Sequence, residues 1–177
     1  MQASALSLLM FTGASQFALV GVLGAGGGVL AAVASALLLG SRNALYGVVL
    51  TERVTVRGWR RAFAAHVTID ESAAISLSSP AEHAGVGFWA TALGVFGLWN
   101  VSTVLGALAA ESVDPRTLGL DAAVGAAFLG LLWPRLREAP TVALTGAALA
   151  LIALPLTPPG TPILVAALAV LPRMVRR

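Results

Sequence analysis

The sequence has no cysteine and no lysine, and only 11% of its residues are charged and 6% aromatic. Without cysteine, the chain forms neither a disulfide nor a thiolate metal site. Its two histidines, His66 and His83, have no cluster of metal-ligand partners in the sequence, so no metal or other cofactor is expected. No nucleophile, base and orienting group stand at a recognisable spacing, so an enzyme is not expected either.

The scarcity of charge also limits the partners. The net charge of +3 rests on few ionised groups, so the high pI does not indicate nucleic acid. The glycine-rich stretch 24–28 lacks the strand, Lys and Ser/Thr of a phosphate-binding loop, and we interpret it as a flexible connection.

What the sequence does contain belongs in a lipid bilayer. Hydrophobic residues make up 58% of the chain, and the mean hydropathy is +0.88. Soluble domains carry about a quarter charged residues, more than twice the fraction here. We therefore predict an all-α, polytopic integral membrane protein of the inner (plasma) membrane, with residues 1–177 forming a single transmembrane transporter domain.

The apolar segments predict about five to six membrane helices. They lie at 3–23, 29–50, 86–110, 118–133, 142–154 and 163–171. A helix of about 20 residues spans the hydrocarbon core, and the third segment is long enough to do so. The last three are short and flanked by prolines, so discontinuous helices are an alternative there.

The arginines predict which side each loop faces, because basic residues accumulate on the cytoplasmic side. They form three clusters, at 53–61, 135–137 and 173–177, whereas the loops 111–121 and 155–162 carry one arginine and no charge respectively. All three clusters face the cytoplasm only if 66–79 does not cross the membrane. We predict that 66–79 is a re-entrant or cavity-lining segment, where irregular backbone is tolerated at membrane depth.

Arg42 is the first charged residue of the chain and lies inside an apolar stretch. A guanidinium in hydrocarbon needs a partner or water, at a cost of about 2.5 kcal/mol or more. Such an arginine is a candidate functional residue, for which we predict an acidic or carbonyl partner. The alternative is an arginine that extends its head group to the interface.

Two adjacent carboxylates, Asp70 and Glu71, lie among apolar residues of the segment predicted not to cross. Such a pair is suited to bind an ammonium group or a coupling proton. We expect one carboxylate to hold the ligand and the other to hold Arg42 or the backbone. The alternative is a surface helix whose first turn carries both acids, which the helix dipole favours.

Polar residues also interrupt the first apolar segment. Thr12, Ser15 and Gln16 share one helical face, and Gly13 beside them permits an opened turn. Carbonyls and helix ends at such breaks hold zwitterions and ions in transporters. The alternative is that these small polar residues pack one helix on another.

Several short motifs resemble those of the AzlC/YgaZ family. The motifs are Gly13-Ala14-Ser15-Gln16-Phe17, Arg42-Asn43-Ala44-Leu45-Tyr46-Gly47 and Asp70-Glu71, with further similarity at 96–107 and 121–132. The resemblance runs from about residue 7 to the C-terminus. This sequence departs from the family at two places. It has Arg42-Asn43 where the family usually has Arg-His, and Ile69-Asp70-Glu71 where the family usually has Thr-Asp-Glu. The family's usual first hydrophobic helix is expected to be missing before the first motif.

This resemblance implies the large subunit of a two-component exporter of branched-chain amino acids, driven by the proton gradient. Its implied partner is a small hydrophobic AzlD-type membrane subunit. The alternatives are a membrane scaffold subunit that does not transport, or a component of an ABC-type permease or channel. The residues expected at the substrate site are Gly13, Ser15, Gln16, Arg42, Asn43, Tyr46, Asp70, Glu71, Trp99 and Asn100.

Overall fold

The computed structural model of the protein describes residues 1–110, 112, 114, 117 and 119–172. Within these residues the regular secondary structure is helical and no strand occurs, as the all-α prediction requires. The helices are α1 (Gln2–Leu9), α2 (Gly13–Gly24), α3 (Val29–Leu50), α4 (Trp59–His66), α5 (Asp70–Ser78), α6 (Ala81–Ala109), α7 (Leu120–Glu138), α8 (Pro140–Ala153) and α9 (Thr161–Ala167), followed by a 3-10 turn at Leu168–Val170.

Two of the described helices, α3 and α6, are long and apolar enough to cross a membrane. A third span is added if the end of α7 and α8, which meet at a bend of 112°, count as one. The described part of the chain therefore has fewer candidate spans than the five to six predicted. The prediction counted short apolar runs as spans, whereas among the described residues α2 and the helix at Thr161–Val170 are shorter than a bilayer requires.

The helix bounds follow the local sequence. The apolar run at 29–50 has no interruption by proline, and α3 occupies the predicted residues. The run at 86–110 was predicted to begin later than α6 does, because Glu82 and His83 lower the hydropathy of its first turn without breaking the helix. Helix α7 continues through Pro134 to Glu138, beyond the predicted end at 133.

The first apolar segment, 3–23, was predicted as one membrane segment and is two helices. Helix α1 ends at Leu9, Met10 leaves the helical region with φ −122° and ψ 75°, and α2 begins at Gly13. The carbonyl of Met10 accepts a hydrogen bond from the Thr12 N–H at 2.9 Å and another from the Gln16 side-chain amide. The opened turn expected beside Gly13 is therefore present, and its exposed carbonyl is satisfied by local donors.

The chain divides into two compact units, and the first comprises Met1–Phe17 and Ala36–Ala107. Its core is a cluster of buried apolar side chains, to which Phe11 from the α1–α2 break and Phe88 from α6 contribute. Phe11 also meets Phe96 edge to face, with 4.9 Å between ring centroids. This unit contains every residue predicted for the substrate site.

The second unit comprises Ala18–Ser35 and Leu108–Arg177. Its described part packs α8 against α9. Gly160, at φ +95°, approaches Val22 so closely that a Cβ would lie 2.8 Å from a Val22 methyl carbon. The carbonyl of Gly160 also accepts a hydrogen bond from Ser35 Oγ at 3.3 Å. The expectation of one domain for 1–177 stays a prediction.

Candidate functional site

Arg42 and Asp70 form an ion pair between the middle of α3 and the first residue of α5. Arg42 Nη1 lies 2.9 Å from Asp70 Oδ2, and the two side chains are 43% and 39% exposed. The start of α5 is fixed locally, because the Ile69 N–H donates to Ser72 Oγ at 3.0 Å. The acidic partner predicted for Arg42 is therefore present, and its position is set by the helix start.

Four of the residues predicted for the substrate site have an unsatisfied buried polar atom. Arg42 Nε, Asp70 Oδ1, Asn43 Oδ1 and Asn100 Oδ1 are buried without a hydrogen-bond partner in the described part of the chain. A buried polar atom without a partner costs about 1–3 kcal/mol. The pair itself thus keeps one open donor, Arg42 Nε, and one open acceptor, Asp70 Oδ1.

Glu71 does not share the environment of Asp70. Adjacent helical residues point about 100° apart, and Glu71 is exposed whereas Asp70 is half-buried. The two carboxylates therefore differ as expected: Asp70 holds Arg42, and Glu71 faces away from the core of the unit. Whether Glu71 binds a ligand stays a prediction.

Helix α5 is held at both ends by arginines. Arg42 pairs with Asp70, the first residue of the helix. At the C-terminal end, Arg53 Nη1 donates to the Ser79 carbonyl at 3.1 Å and to the Ser76 carbonyl at 3.4 Å. The nine residues of α5 extend only about 14 Å, well short of the hydrocarbon thickness. The segment 66–79 thus contains no helix long enough to cross, and the side of the membrane it faces stays a prediction.

The α1–α2 break has a contact that the sequence analysis missed. His66 Nε2 donates to the carbonyl of Leu8 at 2.9 Å, so the last turn of α1 is capped by a side chain from α4. The His66 ring also lies 6.5 Å from Phe11 and 6.0 Å from Phe96. Nothing in the spacing of these residues along the chain signals that they meet.

Gly13, Ser15 and Trp99 lie in helix-packing contacts. A Cβ on Gly13 would stand 3.0 Å from the Trp99 ring, so glycine lets α2 approach α6. Ser15 is buried, and its Oγ donates to the Ala36 carbonyl at 2.8 Å, which ties α2 to α3. These contacts agree with the packing alternative, and a role in substrate binding stays a prediction.

Asn100 and Tyr46 flank the core of the first unit from α6 and α3. Asn100 Nδ2 donates to the Phe96 carbonyl one turn earlier at 2.8 Å, which orients the amide and leaves its Oδ1 buried. Tyr46 packs against the apolar core cluster, as does Trp99. The structure thus places all ten predicted residues in one unit, where Arg42 and Asp70 form an ion pair and Gly13 packs against the Trp99 ring.

A cavity of about 480 Å³ lies between α3 and α4 in the same unit. Asn43, the residue after Arg42, lines one part of the cavity, and Arg61 lines another. Its remaining lining is mostly apolar and includes Leu50, Val54 and Phe88 of the buried core. The sequence analysis treated Arg61 only as part of a basic cluster. Its i, i+4 spacing from Ala65 places both residues on one face of α4, and both line the cavity.

No curated protein and no solved structure matches the chain. A family model described as AzlC protein matches residues 1–113, a range that contains the broken first helix, the ion pair and the cavity. The match ends before 121–132, so it does not extend to that stretch of the resemblance. Since it spans more than half of the 177 residues, the protein belongs to the AzlC family, which is associated with branched-chain amino acid transport.

Proposed function

We propose that the protein exports branched-chain or similarly apolar amino acids across the inner membrane by proton-coupled secondary transport. In this proposal it works with a small hydrophobic AzlD-type subunit. The family association supports amino acid transport, and the apolar helices support a membrane protein. The observation that carries the proposal within the structure is the Arg42–Asp70 pair with its two unsatisfied atoms.

The pair has the chemistry that an amino acid zwitterion requires. A substrate carboxylate accepts hydrogen bonds from guanidinium groups, and Arg42 Nε is a donor without a partner. A substrate ammonium donates, and Asp70 Oδ1 is an acceptor without a partner. Because the ion pair and the zwitterion are each neutral overall, the substrate binds here without adding a net charge to the site.

The remainder of the substrate needs an apolar wall. The cavity beside Asn43 supplies one through Leu50, Val54 and Phe88, which belong to the buried core. A hydrophobic pocket favours a branched aliphatic side chain, although each methylene changes the affinity only modestly. This wall supports an apolar amino acid over a polar one as the cargo.

The competing functions have less support in the same residues. A scaffold subunit gains little from this Arg–Asp pair, because an ion pair that is 43% and 39% exposed contributes little stability. A component of an ABC-type permease needs an ATPase on this or another chain, and the residues of this chain give no support for one. Support for proton coupling comes from the family resemblance and not from a hydrogen bond or ion pair in the structure.

The experiment is efflux of radiolabelled leucine from cells that express the chain together with its AzlD-type subunit. We expect faster efflux than in cells lacking the chain, and a loss of that increment when an uncoupler collapses the proton gradient. Labelled aspartate serves as the control cargo and should leave at the background rate. Leucine efflux at the background rate, with the chain present in the membrane, would contradict the proposal.

A further inference from the structure

The cavity between α3 and α4 runs alongside the path from the end of α3 to the ion pair. On α3 its lining begins at Asn43, continues through Gly47 and reaches Thr51 just beyond the end of the helix. Eight residues of helix correspond to about 12 Å along its axis. The cavity therefore connects the loop after α3 with the residue next to Arg42.

The opposite wall is formed by α4 and the residues that follow it. Arg61, Ala64, Ala65 and Thr68 line this side, and Phe88 from α6 lines the cavity as well. Thr68 Oγ1 is satisfied by the Ala64 carbonyl at 2.7 Å, so it offers no free donor to a ligand. Arg61, an exposed residue, is the one charged residue that the structure describes on this lining.

We propose that this cavity is an access chamber that itself binds an aliphatic amino acid on its way to the Arg42–Asp70 pair. In the chamber Arg61 receives the substrate carboxylate at the outer end, and Gly47 determines the size of the side chain that passes. This inference rests on the proposed function and adds the residues that select the substrate before it reaches the pair.

Volume and chemistry both support an occupant of this kind. Ligand pockets typically measure about 300–1,000 Å³ and combine an apolar lining with a few polar groups, as this cavity of about 480 Å³ does. Arg61 offers a fork of N–H donors that matches a carboxylate.

Gly47 is the residue at which the chamber is most readily narrowed. It lies in the middle of α3, and a Cβ built on it meets nothing within 4 Å. Its φ is not in the left-handed region, so a side chain there extends into open space without straining the helix. A larger residue at 47 should therefore occupy the chamber rather than disturb the packing.

The test is equilibrium binding of radiolabelled leucine and alanine to membranes that contain the full chain with its partner subunit. We expect Gly47→Leu to lower the ratio of leucine affinity to alanine affinity by about tenfold or more. Gly47→Ala should lower the ratio less. Arg61→Gln should weaken both amino acids by about tenfold, the effect of losing one charged hydrogen bond. The same variant should leave competition by 3-methylbutylamine, which has no carboxylate, unchanged.

Gly94→Leu is the matched control, because Gly94 is also helical and free of contacts within 4 Å, but does not line the cavity. It should bind both amino acids as the wild type does. If the wild type binds leucine while Gly47→Leu and Arg61→Gln keep its affinities, the chamber assignment is wrong and the proposed function stands. If the wild type binds neither amino acid, both proposals are wrong. Should Gly47→Leu fail to accumulate, Gly47→Ala and Arg61→Gln decide the question.

Discussion

Arg53 Nη1 donates to the Ser79 carbonyl at 3.1 Å, and this contact anchors the C-terminal end of the helix whose first residue pairs with Arg42. Helix α5 has only nine residues, too few to be stable in isolation. Its position in the first unit therefore depends on contacts at its ends as well as on its buried face.

We expect Arg53→Gln to lower the free energy of unfolding by about 1 kcal/mol, because the carbonyls at the end of α5 lose a charged donor. Thermal unfolding of the detergent-solubilised protein measures this change. Arg57→Gln removes a charge from the same basic cluster and is the control, for which we expect no change. Equal melting temperatures for the wild type and the Arg53 variant would show that this contact does not stabilise α5.

The predicted topology places the basic loop after α3 and the start of α6 on the same side of the membrane. Because the sequence has no cysteine, single cysteines introduced as Arg57→Cys and Glu82→Cys report their own positions without background. Both should react with an impermeant thiol reagent from the cytoplasmic side. Reaction of the two positions from opposite sides would mean that 66–79 crosses the membrane after all.

The contact between Gly13 and Trp99 predicts a steric effect. A methyl group at 13 would stand 3.0 Å from the indole, so Gly13→Ala should destabilise the protein by about 1–2 kcal/mol. A Cβ at Gly21, in the same helix, meets nothing within 4 Å, and Gly21→Ala is the control. The measurement is the melting temperature of each variant. Combining Gly13→Ala with Trp99→Phe should recover part of the loss, and no recovery would place the strain elsewhere.

The break between α1 and α2 depends on the amide of Gln16, which donates to the Met10 carbonyl. Gln16→Leu keeps the size of the side chain and removes the donor, so we expect a loss of about 1 kcal/mol and faster amide exchange in α1. Hydrogen exchange followed by mass spectrometry measures both changes at once. Gln2→Leu, at the exposed start of α1, is the control. Unchanged exchange in α1 would show that the break is held by other contacts.

The sequence predicts some elements well because their cause is local. An uninterrupted apolar run defines α3 from Val29 to Leu50, and the cost of an unpaired arginine in that run predicts a partner for Arg42. The break at Met10 is harder, because hydropathy does not report where the backbone leaves the helical region. For the same reason, the predicted number of spans exceeds the number of candidate spans in the described residues. Apolar composition fixes neither the length nor the continuity of a helix.

Contacts between distant elements lie beyond such reasoning. The hydrogen bond from His66 to the Leu8 carbonyl depends on how α4 lies against α1, which no spacing along the chain encodes. The cavity is similar, because Gly47 and Arg61 line it together only through the packing of α3 beside α4. The sequence gives the chemistry of each residue. That Gly47 and Arg61 line the same cavity depends on the fold.

The most direct test of the central claim compares leucine efflux and membrane abundance for Arg42→Gln, Asp70→Asn and the double variant, each with the partner subunit. Each single variant leaves one charge without its partner and should lose both efflux and some abundance. The double variant removes both charges, so its abundance should return to the wild-type level while efflux stays at background. Wild-type efflux from the double variant would contradict the account, because the pair would then be structural and not the place where the substrate binds.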